Sequence, residues 1–138
     1  MTTTRSEMFL ARLDSLQRVR EFLGAFCKEI DLGRDNCLRL NLVLEELFTN
    51  CVRHGHQGDC GAPVWVTLSG DSAAVTVAFE DTAPAFNPFA RADVPMPTTL
   101  ENRPVGGLGL LLAKGMAASR DYAYVFGRNC VRLRLLDA

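Results

Sequence analysis

Apolar residues recur every three to four positions between residues 16 and 30. Leu16, Val19, Phe22, Leu23, Phe26 and Ile30 form one stripe, the period of a helix buried along one side. Asp14 or Ser15 can cap its start, and it runs to about Glu29. A short strand is predicted before it, over 6–11. Gly33 and Asp35 open a second, leucine-rich helix that runs to near His54, with Gly55 as its C-terminal stop. After the loop "HGHQGDCGAP" the period changes to two. Val64, Val66 and Leu68 alternate with Trp65 and Thr67. Val75, Val77 and Phe79 alternate over 73–80, and "SGDS" between the two runs makes them a hairpin.

The segment 84–104 holds five of the six prolines and little periodicity. Long irregular segments inside compact domains are often functional. "GGLGLLLAKGMAAS" then reads as a glycine-rich entry into a helix whose leucines pack into the core. Tyr122, Tyr124 and Phe126 alternate, and "GRN" turns into Val131, Leu133 and Leu135. Arg132 and Arg134 read as the wet face of an edge strand. The order β-α-α-β-β-loop-α-β-β predicts an α+β fold: a two-layer sandwich, with a mixed, mainly antiparallel sheet and the helices on one face.

The 138 residues suit a single domain over 1–138. With 15 basic and 16 acidic residues the net charge is -1, which makes no electrostatic case for nucleic acid or an anionic membrane. No run approaches the roughly 20 apolar residues of a membrane span. The start "MTTTRSEMFLARLD" has no signal-like apolar segment, so the cytoplasm is the expected location. Five cysteines, an odd number with no CxxC, suggest reduced and mostly buried thiols.

Three patches carry candidate chemistry. Glu46 and Asn50 stand four apart on the second helix and are therefore neighbours. A carboxylate beside an amide carbonyl offers hard oxygen donors of the kind Mg²⁺ takes; the other reading is a solvated helix face. Asp81 sits where a strand meets the loop "DTAPAFNP". It can accept a hydrogen bond from an exocyclic amine, or serve as a turn aspartate. Gly106, Gly107 and Gly109 precede a helix, where backbone N–H groups and the helix dipole favour phosphate. Neither a Walker A nor a Rossmann pattern is present.

Taken together and in this order, the patches resemble the GHKL ATPase superfamily, and within it the bacterial anti-sigma-factor serine/threonine kinases. "EELFTNCVRHG" is similar to their N box, with Glu46, Asn50, His54 and Gly55 on its positions. "DTAPAFNP" resembles their adenine box through Asp81, Pro84, Phe86 and Pro88. "GGLGLLLAKGMA" resembles their second glycine box, and "GRNCVRLRL" their closing hairpin. The resemblance implies a Bergerat-type ATP site under a lid at roughly 89–105. It implies Asn50 as the Mg²⁺ ligand, Glu46 as general base and Asp81 as the reader of the adenine amine. The further nucleotide-binding positions it implies are Ala83, Arg103, Gly106, Gly107, Leu108 and Gly109, with Arg91 and Arg103 available to the γ-phosphate. It implies transfer of phosphate to a serine or threonine of a STAS-type anti-sigma antagonist, sequestration of a sigma factor, and a second copy of the chain as a dimer partner. Three positions depart from the pattern. Ala83 replaces a glycine of the adenine box, Asn87 replaces an aspartate, and Cys130 falls where relatives often place a threonine near the adenine.

Two other readings stay open. Ala83 would suit a Bergerat-fold module that sequesters a protein without catalysis. Cys51, His54, His56 and Cys60 also read C-x2-H-x-H-x3-C, four ligands for a structural zinc.

Overall fold

The computed structural model describes residues 2–89 and 117–136. The lid, Arg91, Arg103, the glycines 106, 107 and 109 with Leu108, and the body of the helix predicted after them lie outside the described residues.

Strand β1 (Thr3–Leu10) leads through a 3-10 turn at Leu13–Ser15 into α1 (Leu16–Glu29). Helix α2 (Arg34–Asn50) continues into a π-helical turn at Cys51–Gly55. Strands β2 (Pro63–Gly70), β3 (Ala74–Asp81), β4 (Ala117–Val125) and β5 (Arg128–Leu136) complete the described elements. The sheet order is β1-β2-β3-β5-β4, and each described pairing is antiparallel. The α+β sandwich is as expected, and its sheet is antiparallel among the described residues.

The two periods in the sequence build the two layers. Val64, Val66, Leu68, Val75, Val77, Phe79, Val131 and Leu133 point from the sheet into one buried cluster. Val19, Leu23 and Phe26 of α1 and Leu40, Val43, Leu44, Leu47 and Phe48 of α2 meet them there. Phe48 packs edge-on against Phe79, with ring centroids 6.4 Å apart, a favoured aromatic geometry. On the outer face Arg128 lies 3.9 Å from the centroid of Trp65, a cation–π contact that covers the indole.

Several local expectations change. Neither Asp14 nor Ser15 caps α1 through its side chain. Ser15 Oγ instead donates to the Leu10 carbonyl at 2.9 Å, and Asp59 Oδ1 accepts the Leu13 N–H at 2.8 Å, so the "HGHQGDCGAP" loop closes the helix start. Gly55 is no left-handed stop. The chain instead passes through a π-turn, and positive φ comes at Gln57 and Gly58. Ala117–Ser119, expected at a helix end, belong to β4. Arg132 and Arg134 do face solvent, but β5 lies between β3 and β4: Val131, Leu133 and Leu135 pair with β3 as well as with the hairpin partner. Phe126 is not in β4: it forms the hairpin tip with Gly127, at φ 51 and 77, the double positive φ of a tight two-residue turn.

Candidate functional site

Helix α2 and strands β3 and β5 end around one pocket. Its walls are Leu47, Asn50, Cys51, Gly55, Phe79, Asp81, Phe86, Pro88, Asn129 and Val131. Most of these are apolar, and the three polar side chains converge, the usual make-up of a small-molecule site. The structure thus brings Asn50 and Asp81, 31 positions apart in sequence, to one place. Both are buried, with exposures of 9% and 6%. Glu46 sits one helical turn before Asn50, half-buried and outside the pocket wall.

Asp81 is held by a network that the sequence reading missed. Its Oδ1 accepts the Ala83 N–H at 2.9 Å and Asn129 Nδ2 at 2.9 Å. Asn129 also donates to the carbonyls of Ala83 and Pro84 at 3.0 and 3.1 Å. Its own Oδ1 accepts the Phe86 N–H at 2.9 Å and the Tyr122 hydroxyl. One amide, only 2% exposed, therefore ties β3, the loop 82–86 and the β4–β5 hairpin together. Two N–H donors on Oδ1 thus fix the carboxylate of Asp81 in place. A sequence signal did exist: Asn129 is in phase with the inward positions Val131 and Leu133, where a polar residue is unusual.

Register also settles Cys130. It pairs with Glu80 while Asn129 pairs with Asp81. The side chains alternate, so the Cys130 thiol points to the outer face and donates to Glu80 Oε1 at 3.3 Å. It does not reach the pocket. Asn87 Oδ1 accepts the Phe89 N–H at 2.9 Å, a bond that an aspartate there would make equally well.

Ala83 is 2% exposed and is not part of the pocket wall. Its methyl packs against Gly55: a Cβ on Gly55 would fall 2.8 Å from the Ala83 Cβ. The extra methyl in the loop is thus accommodated by a missing one at the helix end. Gly55→Ala is expected to destabilise the fold by about 1–3 kcal/mol through overpacking, and adding Ala83→Gly in the same chain should restore most of the loss. Urea unfolding of the two single variants and the double variant checks this. A double variant no more stable than Gly55→Ala alone would separate the two positions.

The four residues of the expected zinc site are not brought together. His54 is exposed. Cys60 lies near Cys51 but does not join the cluster of ligand atoms. Among the described residues the metal-competent group is Cys51, His56 and Asp81.

Residues 9–135 match the family model of the histidine kinase-like ATPase domain. Over 111 residues the chain is 26% identical to the anti-sigma F factor of Halalkalibacterium halodurans, a match that covers 78% of this chain and 76% of that protein. The fold is similar to the crystal structure of the RsbU and RsbW domains of Rv1364c from Mycobacterium tuberculosis, with a TM-score of 0.62 at 18% identity. That match covers 97% of this chain and 32% of the other, so this chain spans about a third of that structure. No helix among the described residues is long and apolar enough to cross a membrane.

Proposed function

The chain belongs to the histidine kinase-like ATPase domain family, and on that premise we propose that it is an ATP-binding anti-sigma regulator. It transfers the γ-phosphate of ATP to a serine or threonine of a STAS-type antagonist and sequesters a sigma factor. The observation that carries this reading is the shared pocket of Asn50 and Asp81. One buried carboxylate is pinned through a single oxygen at the inner end, and one buried amide stands on the helix that also bears Glu46. The anti-sigma F factor similarity supports the choice of partner class.

In this reading the adenine amine donates to Asp81, and Phe86, Pro88 and Val131 flank the base. Asn50 supplies an oxygen to Mg²⁺, an ion that neutralises phosphate charge when bound. Glu46 takes the proton of the incoming hydroxyl. The sequestration-only alternative drew on Ala83. Its methyl faces Gly55 and not the pocket, so that residue gives it no support.

The test is titration with ATP and Mg²⁺, followed by incubation with the STAS-like protein of the same genome and mass analysis for phosphoserine or phosphothreonine. Saturable binding followed by a single added phosphate is expected. Binding with no phosphate added would leave a sequestration module. Asp81→Asn should weaken ATP binding by about ten- to a hundredfold, the scale of a lost hydrogen bond to a charged acceptor. An unchanged dissociation constant would remove Asp81 from adenine recognition.

A further inference from the structure

Nucleotide binding gives no role to Cys51 or His56, yet the two side chains meet Asp81, and Cys51 and Asp81 both line the pocket. The Cys51 sulfur, a His56 ring nitrogen and an Asp81 carboxylate oxygen all lie within 4.8 Å of one another. Cys51 and Asp81 are buried, at 5% and 6% exposure. Nε2 of His56 is shut off from solvent and has no hydrogen-bond partner, alone in this among the buried side-chain polar atoms of the described residues. Leaving such an atom buried and unpaired is unfavourable, so a ligand that satisfied it would be favoured.

The π-turn creates the juxtaposition. On an α-helix, residues five apart lie well off one line, whereas residues three and four apart are neighbours. Here the His56 N–H donates to the Cys51 carbonyl at 2.9 Å, an i→i+5 bond that swings His56 back over Cys51. Such turns inside helices are frequent at functional sites. For the same reason the spacing C-x2-H, which pairs Cys51 with His54, selects the wrong histidine.

The geometry points to a transition-metal site of the zinc type, built from Cys51, His56 and Asp81, that shares Asp81 with the nucleotide, so that bound metal and bound nucleotide exclude each other. The exclusion rests on the adenine role proposed for Asp81; the metal site does not. Thiolate and imidazole suit Zn²⁺ and not the hard, oxygen-seeking Mg²⁺. A thiolate and a carboxylate balance the charge of a divalent ion in this buried place, and three protein ligands leave a fourth position for water. Tetrahedral zinc sets its ligand atoms about 3.5 Å apart, so ligand atoms within 4.8 Å of one another close by no more than about 1.3 Å. Burial, with the charge of Asp81, pushes the Cys51 thiol up from its ordinary pKa. The metal therefore displaces the thiol proton to solvent as the sulfur–metal bond forms.

The test uses Co²⁺ as a spectroscopic stand-in and Zn²⁺ as competitor, on the full chain without nucleotide. We expect a thiolate-to-cobalt charge-transfer band at one equivalent that Zn²⁺ abolishes. Cys51→Ser should remove it, and His56→Gln, at a half-buried side chain, should weaken cobalt binding at least about tenfold. His54→Gln and Cys60→Ser should leave it intact. No band, or a band that survives both Cys51→Ser and His56→Gln, overturns the site. A band lost only with Cys60→Ser assigns the metal elsewhere and also overturns it. In a second arm, a fluorescent ATP analogue bound with Mg²⁺ should be released as one equivalent of Zn²⁺ is added. Analogue that binds but is not released overturns the exclusion alone. Analogue that fails to bind in the absence of zinc overturns the exclusion together with the ATP reading, while the cobalt band still decides the metal site.

Discussion

Glu46→Ala is expected to lower the proposed phosphate transfer to the antagonist by about a hundredfold or more, the usual worth of a positioned general base, and to leave ATP affinity within about threefold. The asymmetry follows from where the side chain stands. Glu46 is half-buried on α2, one turn before Asn50, and is not part of the wall that encloses the base. On the proposed reading its loss acts on the transferred proton and not on nucleotide recognition, which that reading gives to Asp81. Alanine is the best helix former, so α2 keeps its shape, and the core residues on its other side, Leu44, Leu47 and Phe48, are untouched. Single-turnover transfer at saturating ATP reads the chemical step, and equilibrium titration reads binding. Wild-type transfer by the variant removes the base. A matching fall in both quantities makes Glu46 a binding residue instead.

Most of the fold can be read from two periodicities. The 3.6-residue stripe of α1 and the alternation of β2, β3 and β5 place Val19, Leu23, Val64, Val77 and Leu133 in the core before any coordinates are seen. The pairing of distant segments is less legible. Nothing local in β5 says that it lies between β3 and β4, so Arg132 and Arg134 read as an edge. The site divides in the same way. Asn50 and Asp81 stand out because Asn50 lies four residues from Glu46 on one helix and Asp81 sits where a strand meets a proline-containing loop. Asn129 does not, because an asparagine after glycine and arginine looks like turn chemistry; its phase with Val131 and Leu133 marks it as inward, but its pairing with Asp81 shows only in the register. Cys51 and His56 are legible as metal-ligand types, but their grouping with Asp81 in place of His54 and Cys60 is not. Counting along a helix assumes 3.6 residues per turn, and the π-turn at Cys51–Gly55 breaks that assumption where the chemistry sits.

Asn129→Ala is expected to cost about 3–4 kcal/mol of stability, more than truncation of any exposed polar residue. In the native protein this amide holds Asp81 Oδ1, two loop carbonyls and the Phe86 N–H. Truncation leaves the carbonyls of Ala83 and Pro84 without that donor and removes one of the two donors to Asp81. The Phe86 N–H keeps its bond of 3.1 Å to the Tyr122 hydroxyl, so the loss stays below that of a wholly orphaned set. Networks of this kind lose more than isolated pairs because each bond orients the next. ATP affinity should fall at least about tenfold as well, since the carboxylate loses the contact that aims its other oxygen at the base. Cys130→Ala, one residue on, is the internal control. Its thiol points to the outer face beside Glu80, and its effect should stay within about 0.5 kcal/mol. Urea unfolding with equal m-values for both variants separates stability from changes in the unfolded chain. Equal losses for the two variants would mean that Asn129 contributes no more than any hairpin residue and that Asp81 is oriented by the loop alone.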